Sequence, residues 1–249
     1  MTNIKTEKEI QIMREGGKIL AEILKKLEEA VKPGITTNDL EELACELVLY
    51  YKVSGSFLGF EGYPAILCTS LNDEVVHAIP SDRVLEEGDL LKIDMGVLHE
   101  GFHTDSAVTV IVGNMNDIAK RNLIQVTKES LEIGISKAKV GNTLGDIGSA
   151  IQKHVEDKGF NVVRDLVGHG IGRELHEPPQ VLNYGEAGQG EKLVAGMVIA
   201  IEPMVVTGKW GIKNGKDGYA FVTKDASLAA HFEHTVAITD EGAIVLTTY

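Results

Sequence analysis

Residues 90–113 read LLKIDMGVLHEGFHTDSAVTVIVG. Two aliphatic, β-branched runs flank the polar, glycine-containing HEGFHTD, a pattern that predicts a β-hairpin. Each arm carries an acid where an apolar strand should exclude one: Asp94 within the first run and Asp105 at the head of the second. Carboxylates are seldom buried unless they are paired or coordinate a cation, because an isolated buried charge is too costly. The anomaly recurs downstream. Glu202 interrupts the apolar run 193–206, LVAGMVIAIEPMVV, and Glu233 lies in 231–239, HFEHTVAIT. Four acids on strand-like runs, two in each half of the chain, predict convergence on cations.

Working outward from the hairpin, Ile10, Met13, Gly17, Leu20, Ile23 and Leu27 recur at helical spacing over Glu7–Ala30. VKPGITTND (31–39) breaks that helix, and Thr36 to Asp39 reads as the start of a second helix through Tyr51. A third helix is predicted from about Asn116 to Lys139, and AKVGNTLGD (138–146) opens a fourth, to about Lys158. VVRDLVGHG, GMVIAIEPMVV, HFEHTVAIT and AIVLTTY read as strands between glycine- and proline-containing loops.

The two halves echo one another. Lys32-x-Gly34-x-Thr36-x-x-Asp39 reappears as Lys139-x-Gly141-x-Thr143-x-x-Asp146, and Leu85-x-x-Gly88 leading to Ile93-Asp94 reappears as Leu193-x-x-Gly196 leading to Ile201-Glu202. A duplicated helix–helix–strand–strand unit accounts for both echoes, with the halves falling at about 1–113 and 114–249 of a single domain. Each half would bring one carboxylate strand to a pseudo-twofold axis.

The balance of 24 basic against 37 acidic residues gives a net charge of −13. A chain this acidic repels phosphate, which excludes nonspecific nucleic-acid and anionic-membrane binding. Charged residues at 24% and apolar ones at 43% are ordinary globular proportions, so large-scale disorder is not expected. Two cysteines cannot build a disulfide framework or a thiolate zinc site. MTNIKTEKEIQIMREGG (1–17) has no apolar core of a secretory signal, and no run reaches a membrane span, so a cytoplasmic location is expected.

Nitrogen donors come from GHGIGRELHEPPQ (168–180), with His169 and His176 among glycines that hold backbone close to something. Carboxylates with one imidazole suit Mn, Fe, Co or Zn, and four acids exceed what one ion needs, so a two-metal centre is the leading expectation. His154 reads as a solvated helix residue and His99 as exposed in the hairpin turn, whereas His103 shares a strand face with Asp105 and His234 faces away from Glu233.

NDEVVHAIP (72–80), the hairpin with its preceding Gly-Asp, GHGIGRELHEPPQVLNYG (168–185), GMVIAIEPMV (196–205) and DGYAFVTKDASLAAHFEHT (217–235) together resemble the type I methionine aminopeptidase family of pita-bread, M24-like metallopeptidases. The resemblance spans nearly the whole chain. It implies an α+β pita-bread fold, two pseudo-twofold-related halves with an antiparallel sheet covered by helices, and removal of N-terminal methionine from nascent chains at the ribosome by a monomeric enzyme. It implies that Asp94, Asp105, His169, Glu202 and Glu233 hold the two ions, with Asp105 and Glu233 bridging, and that Glu202 also accepts a proton from the attacking water. His176 would steady the scissile carbonyl and His77 would contact the peptide nitrogen beyond it. Phe57, Phe60, Tyr63, Cys68, Leu175 and Tyr219 would form the methionine side-chain pocket.

Several residues depart from the family pattern. His231 stands two residues before Glu233, on the same strand face, where relatives usually carry glutamine or another residue. Leu175 and Tyr219 replace the frequent phenylalanine and tryptophan, and Phe57 and Phe60 replace cysteine and tyrosine. Asp94-Met-Gly resembles the Asp-Phe-Gly of Xaa-Pro peptidases, which share fold and ligands and supply the competing expectation. A non-catalytic pita-bread binding protein is the third, weakened because all five ligand positions are filled.

Overall fold

Thr6, Thr36 and Thr143 each start a helix with a reciprocal capping box, the threonine bonded to the N–H three residues on and a Glu or Asp there reaching back. In the computed structural model, which describes residues 2–114 and 116–248, these caps open α1 (Glu7–Ala30), α2 (Thr37–Tyr51) and α4 (Leu144–Asp157), while Asp117 caps α3 (Ile118–Lys137). The helical boundaries fall within two residues of those expected.

The strands that matter for the site are β1 (Leu67–Leu71), β2 (Leu90–His99), β3 (Phe102–Ile111), β4 (Gly168–Gly170), β5 (Glu177–Val181), β6 (Val198–Ile201), β7 (Met204–Val206), β8 (Ala229–His231), β9 (Glu233–Thr239) and β10 (Gly242–Val245). A nine-stranded antiparallel sheet runs in the order Ser54–Gly55, β2, β3, β9, β6, β4, β5, with β1 also on β2 and β10 on β9. The hairpin β2–β3 is longer than its sequence suggested, with only Glu100 and Gly101 between its arms, so Asp105 lies inside β3 rather than at its head. VVRDLVGHG is not one strand: Asn161–Val162 and β4 are separated by a bent segment. GMVIAIEPMVV is likewise broken, because Pro203 cannot donate to a ladder, and Glu202 sits at the break.

The same local construction occurs twice. The Gly34 N–H donates to the Leu85 carbonyl and the Gly141 N–H to that of Leu193, while Thr36 bridges Val84 and Thr143 bridges Lys192. Two of the apolar clusters fall mainly on opposite halves. Leu20, Ile23, Leu27 and Leu40 of α1 and α2 lie with Leu91 and Ile93 of β2, whereas Leu131, Ile147 and Ile151 of α3 and α4 lie with Ile199 and Ile201 of β6. Fully burying one such side chain stabilises the fold by about 1.5–3 kcal/mol. The halves meet where β3 pairs with β9, with Glu233 opposite Ala107 and His234 opposite Ser106. Among the described residues no helix is long and apolar enough to cross a membrane.

Candidate functional site

A cavity of about 340 Å³ opens at the meeting of the two halves, lined by Asp94, Asp105, His169, Glu202 and Glu233 together with His77 and His176. The acids arrive on different elements and are held through their backbones. Asp94 is opposite Cys68 on β1 and Ala107 on β3. The Asp105 carboxylate accepts from the Ser106 N–H at 3.0 Å, and its main chain is clamped by Thr235 Oγ1, bonded to both N–H and carbonyl at 2.8 Å. Ser106 Oγ donates to the Glu233 carbonyl at 2.7 Å, and Asn183 Nδ2 to the Glu202 carbonyl at 3.0 Å. These bonds position side chains without neutralising them.

Their electrostatics are those of a cation site. Asp94 is 7% exposed and Glu233 2%; burial pushes both carboxyls well up, and the neighbouring acids push them further. Burial and then the Asp105 charge raise Glu202 in the same way. Burial moves Asp105 up to about 7 against the restraining bond from Ser106. Asp94 Oδ1 and Glu233 Oε1 are buried without a hydrogen-bond partner among the described residues. Four mutually repelling carboxyls, two with orphaned oxygens, fit divalent cations better than any internal bonding scheme.

His169 fits as their nitrogen partner. Its Nδ1 bonds the Gly170 carbonyl at 2.9 Å, so that nitrogen carries the proton and Nε2 keeps its lone pair. Burial first, then the charge of His176, holds its pKa down at about 3, which keeps the ring neutral. One ligand atom each from Asp105, His169 and Glu233 lie within 4.8 Å of one another. The glycines of GHGIG have a steric reason: a Cβ on Gly168 would overlap the Ala200 carbonyl oxygen, and one on Gly170 that of Pro178. Only bare backbone lets β4 lie this close to β6 and β5.

Above the acids stand the other two histidines. The His176 ring lies 4.3 Å from that of His169 and 4.9 Å from that of Phe60. His77 adopts φ +65°, uncommon for a residue with a Cβ, and its ring sits 5.8 Å from Phe221. Burial lowers the pKa of both, that of His77 to about 4 with help from His176. Both rings are therefore neutral N–H donors near pH 7.

Phe57, Phe60, Tyr63, Cys68, Leu175 and Tyr219 all line the apolar part of this cavity. The Tyr63 hydroxyl bonds the Leu67 carbonyl at 2.9 Å, Tyr219 donates to that of Gly62 at 2.8 Å, and their rings meet edge-on at 5.3 Å. Burial, first among several causes, raises the Cys68 thiol far above its ordinary value, so it is a wall and not a nucleophile.

Two histidines differ from their sequence readings. His154 is not freely solvated: it lies on α4 with Nε2 3.1 Å from Glu129 of α3. His99 is half-buried, its Cβ packed on Gly16 of α1. His103 bonds Ser56 Oγ at 2.9 Å and His234 bonds Thr247 Oγ1 at 2.8 Å, so both brace the surrounding structure. Sequence reasoning missed Glu61 and Phe221 on the cavity wall. It also missed a buried ion pair, Lys5 Nζ to Glu177 Oε2 at 2.6 Å, on the residue that follows His176. Lys92, 1% exposed, bonds the carbonyls of Asn72 at 2.9 Å and Ala229 at 3.3 Å, tying the two halves together. The signal for Lys92 was available, a lysine inside the apolar run LLKID, but its partners were not.

Residues 11–240 match the model of metallopeptidase family M24. The chain is 51% identical to a methionine aminopeptidase of Clostridium acetobutylicum, over 99% of each chain. It superposes on the crystal structure of a methionine aminopeptidase from Thermotoga maritima with a TM-score of 0.98 and 46% identity, covering 100% of both chains. Against a prolidase from Pyrococcus furiosus the TM-score is 0.79 at 25% identity, over 99% of this chain but 65% of that one. The architecture is thus the α+β pita-bread fold shared by both groups.

Proposed function

The chain belongs to metallopeptidase family M24, among its methionine aminopeptidases, and we propose that it removes N-terminal methionine from peptides and newly made polypeptides. Residues 1–249 act as one catalytic unit, a cytoplasmic monomer meeting nascent chains at the ribosome, with ligands contributed from both halves. The observation that carries the reading is the convergence of four carboxyls, three of them buried and two with unpartnered oxygens, and one neutral imidazole in a largely apolar cavity.

Asp94, Asp105, His169, Glu202 and Glu233 would hold two divalent ions of the Mn, Fe, Co or Zn class. When bound, such ions lower the pKa of water and polarise a carbonyl. Glu202 takes the proton of the attacking water at a carboxylate oxygen. His176 donates its ring N–H to the scissile carbonyl oxygen as negative charge develops there, an interaction that contributes about 2.7–4 kcal/mol at comparable sites. His77 contacts the peptide nitrogen beyond the scissile bond. Phe57, Phe60, Tyr63, Cys68, Leu175 and Tyr219 receive the unbranched thioether of methionine. The acidic floor favours a free α-ammonium group, which an internal peptide lacks, and this limits cleavage to chain ends.

The Xaa-Pro alternative has less support, because the matched prolidase is less similar and extends well beyond the aligned region. Comparing cleavage of Met-Gly-Met-Met with that of a Gly-Pro peptide tests the choice. Methionine release is expected, and cleavage of the proline peptide alone would overturn it. Glu202→Ala should abolish cleavage at unchanged circular dichroism; surviving activity would remove Glu202 from its role.

A further inference from the structure

His231 is 1% exposed, and among the described residues neither of its ring nitrogens has a hydrogen-bond partner. A wholly buried imidazole with nothing to bond is costly, since a neutral ring always carries one N–H that must be matched. Its backbone is fixed from two sides. Thr109 of β3 exchanges bonds with it, Oγ1 accepting from the His231 N–H at 2.9 Å and donating to its carbonyl at 2.6 Å, while Met204 of β7 lies opposite in register. That clamp aims the ring at Glu202. Nε2 of His231 is 3.7 Å from Glu202 Oε2, while Nε2 of His169 is 3.6 Å from Oε1. The Glu202 carboxylate therefore lies between two imidazoles, one facing each oxygen.

The roles of the two rings differ. His169 spends its N–H on the Gly170 carbonyl and turns a lone pair to the site. His231 has no carbonyl of that kind, so the carboxylate is the acceptor its ring approaches. The 3.7 Å gap is about 0.8 Å longer than an ordinary N–H···O bond, within reach of a side-chain rotation.

We propose that His231 is a positioning residue: it donates Nε2–H to Glu202 Oε2, fixing the carboxylate so that Oε1 stays turned toward His169. This rests on Glu202 being a metal ligand, as in the function proposed above. Donors of this type behind a ligand orient it, and their loss typically lowers metal affinity 10–100-fold. The role needs an N–H donor at this place and not a ring, so an amide should serve where a hydrocarbon cannot.

The test uses metal-free protein titrated with Zn2+ alone, comparing wild type, His231→Gln and His231→Leu by calorimetry. We expect His231→Leu to bind zinc at least about 10-fold more weakly and His231→Gln to stay within about threefold of wild type. In zinc-loaded wild-type protein, 15N NMR should place the His231 ring proton on Nε2. Unchanged zinc affinity in His231→Leu overturns the proposal, as does a His231→Gln variant as weak as His231→Leu, or an Nε2 without a proton. If His231→Leu fails to fold, the glutamine variant and the wild-type ring proton decide. Methionine release by wild-type protein is scored separately, so active wild type with unaffected zinc binding in His231→Leu defeats only the role of His231.

Discussion

Replacing Lys5 by methionine should destabilise the protein and slow it, although Lys5 is far from the reacting atoms in sequence. Lys5 Nζ and Glu177 Oε2 are 2.6 Å apart, with side chains only 5% and 3% exposed. Removing one member of a buried pair costs about 3–5 kcal/mol, because the other charge is left without its partner. Glu177 would keep two donors, Asn3 Nδ2 at 3.0 Å and the Glu174 N–H at 3.3 Å. These offset part of the loss, which leaves about 2–4 kcal/mol, or about 5–15 °C in Tm for a chain of this size. The pair also wedges the loop that carries His176: a Cβ on Gly172 would collide with the Lys5 side chain and with Glu177 Oε1. A displaced His176 should lower kcat by about 10-fold or more. The pH dependence fixes the sign. Burial works against the Glu177 charge, but the bonds from Lys5, Asn3 and the Glu174 N–H outweigh it and hold its pKa below the ordinary 4.5. The stabilisation is therefore complete above pH 4.5 and is lost as pH falls through the lowered value. Urea unfolding at pH 7 and at about pH 3 should show a wide gap between wild type and variant that narrows in acid. Equal urea midpoints at pH 7, or a gap of the same size at both pH values, would refute the reasoning.

Four other outcomes follow from the same structure. Because Asp94, Glu202 and Glu233 are pushed well up and Asp105 to about 7, the metal-free site holds protons at neutral pH. Zinc binding at pH 7 should release on the order of one proton or more per chain, read from calorimetry in buffers of different ionisation enthalpy. With raised acid pKa values the metal-free protein should also lose stability as pH rises through about 7, and a chelated sample whose Tm climbs from pH 6 to pH 8 would contradict this. Gly170→Ala should cost about 1–3 kcal/mol and weaken zinc binding, because its Cβ would meet the Pro178 carbonyl next to the oxygen that orients His169; thermal melts and zinc titration check both. Thr36→Ala and Thr143→Ala remove equivalent caps and should each cost about 1 kcal/mol, adding in the double variant; urea midpoints of single and double variants measure this.

The sequence by itself determined everything carried by local rules. The caps at Thr36 and Thr143, the helical spacing of Ile10 to Leu27 and the misplaced acids in LLKIDMG and VIAIEPM are encoded within a few residues of where they act. Backbone geometry and side-chain period make such features readable one segment at a time. The strand assigned to VVRDLVGHG failed for the complementary reason. Its apolar spacing is short, and whether it pairs depends on β5 and β6 arriving beside Gly168–Gly170.

Only the tertiary structure decided what meets across the chain. The partner of Lys5 lies 172 residues away, and the carbonyls that Lys92 ties are supplied by both halves. The sequence flagged His231 as unusual, but its meaning comes from the ring's lack of partners and from the 3.7 Å that separates it from Glu202. Burial, and with it the altered pKa values of the four acids, belongs to the packed state alone. A carboxylate is an ordinary ion in the unfolded chain; it becomes part of a cation site only when folding removes its water and sets other carboxylates beside it.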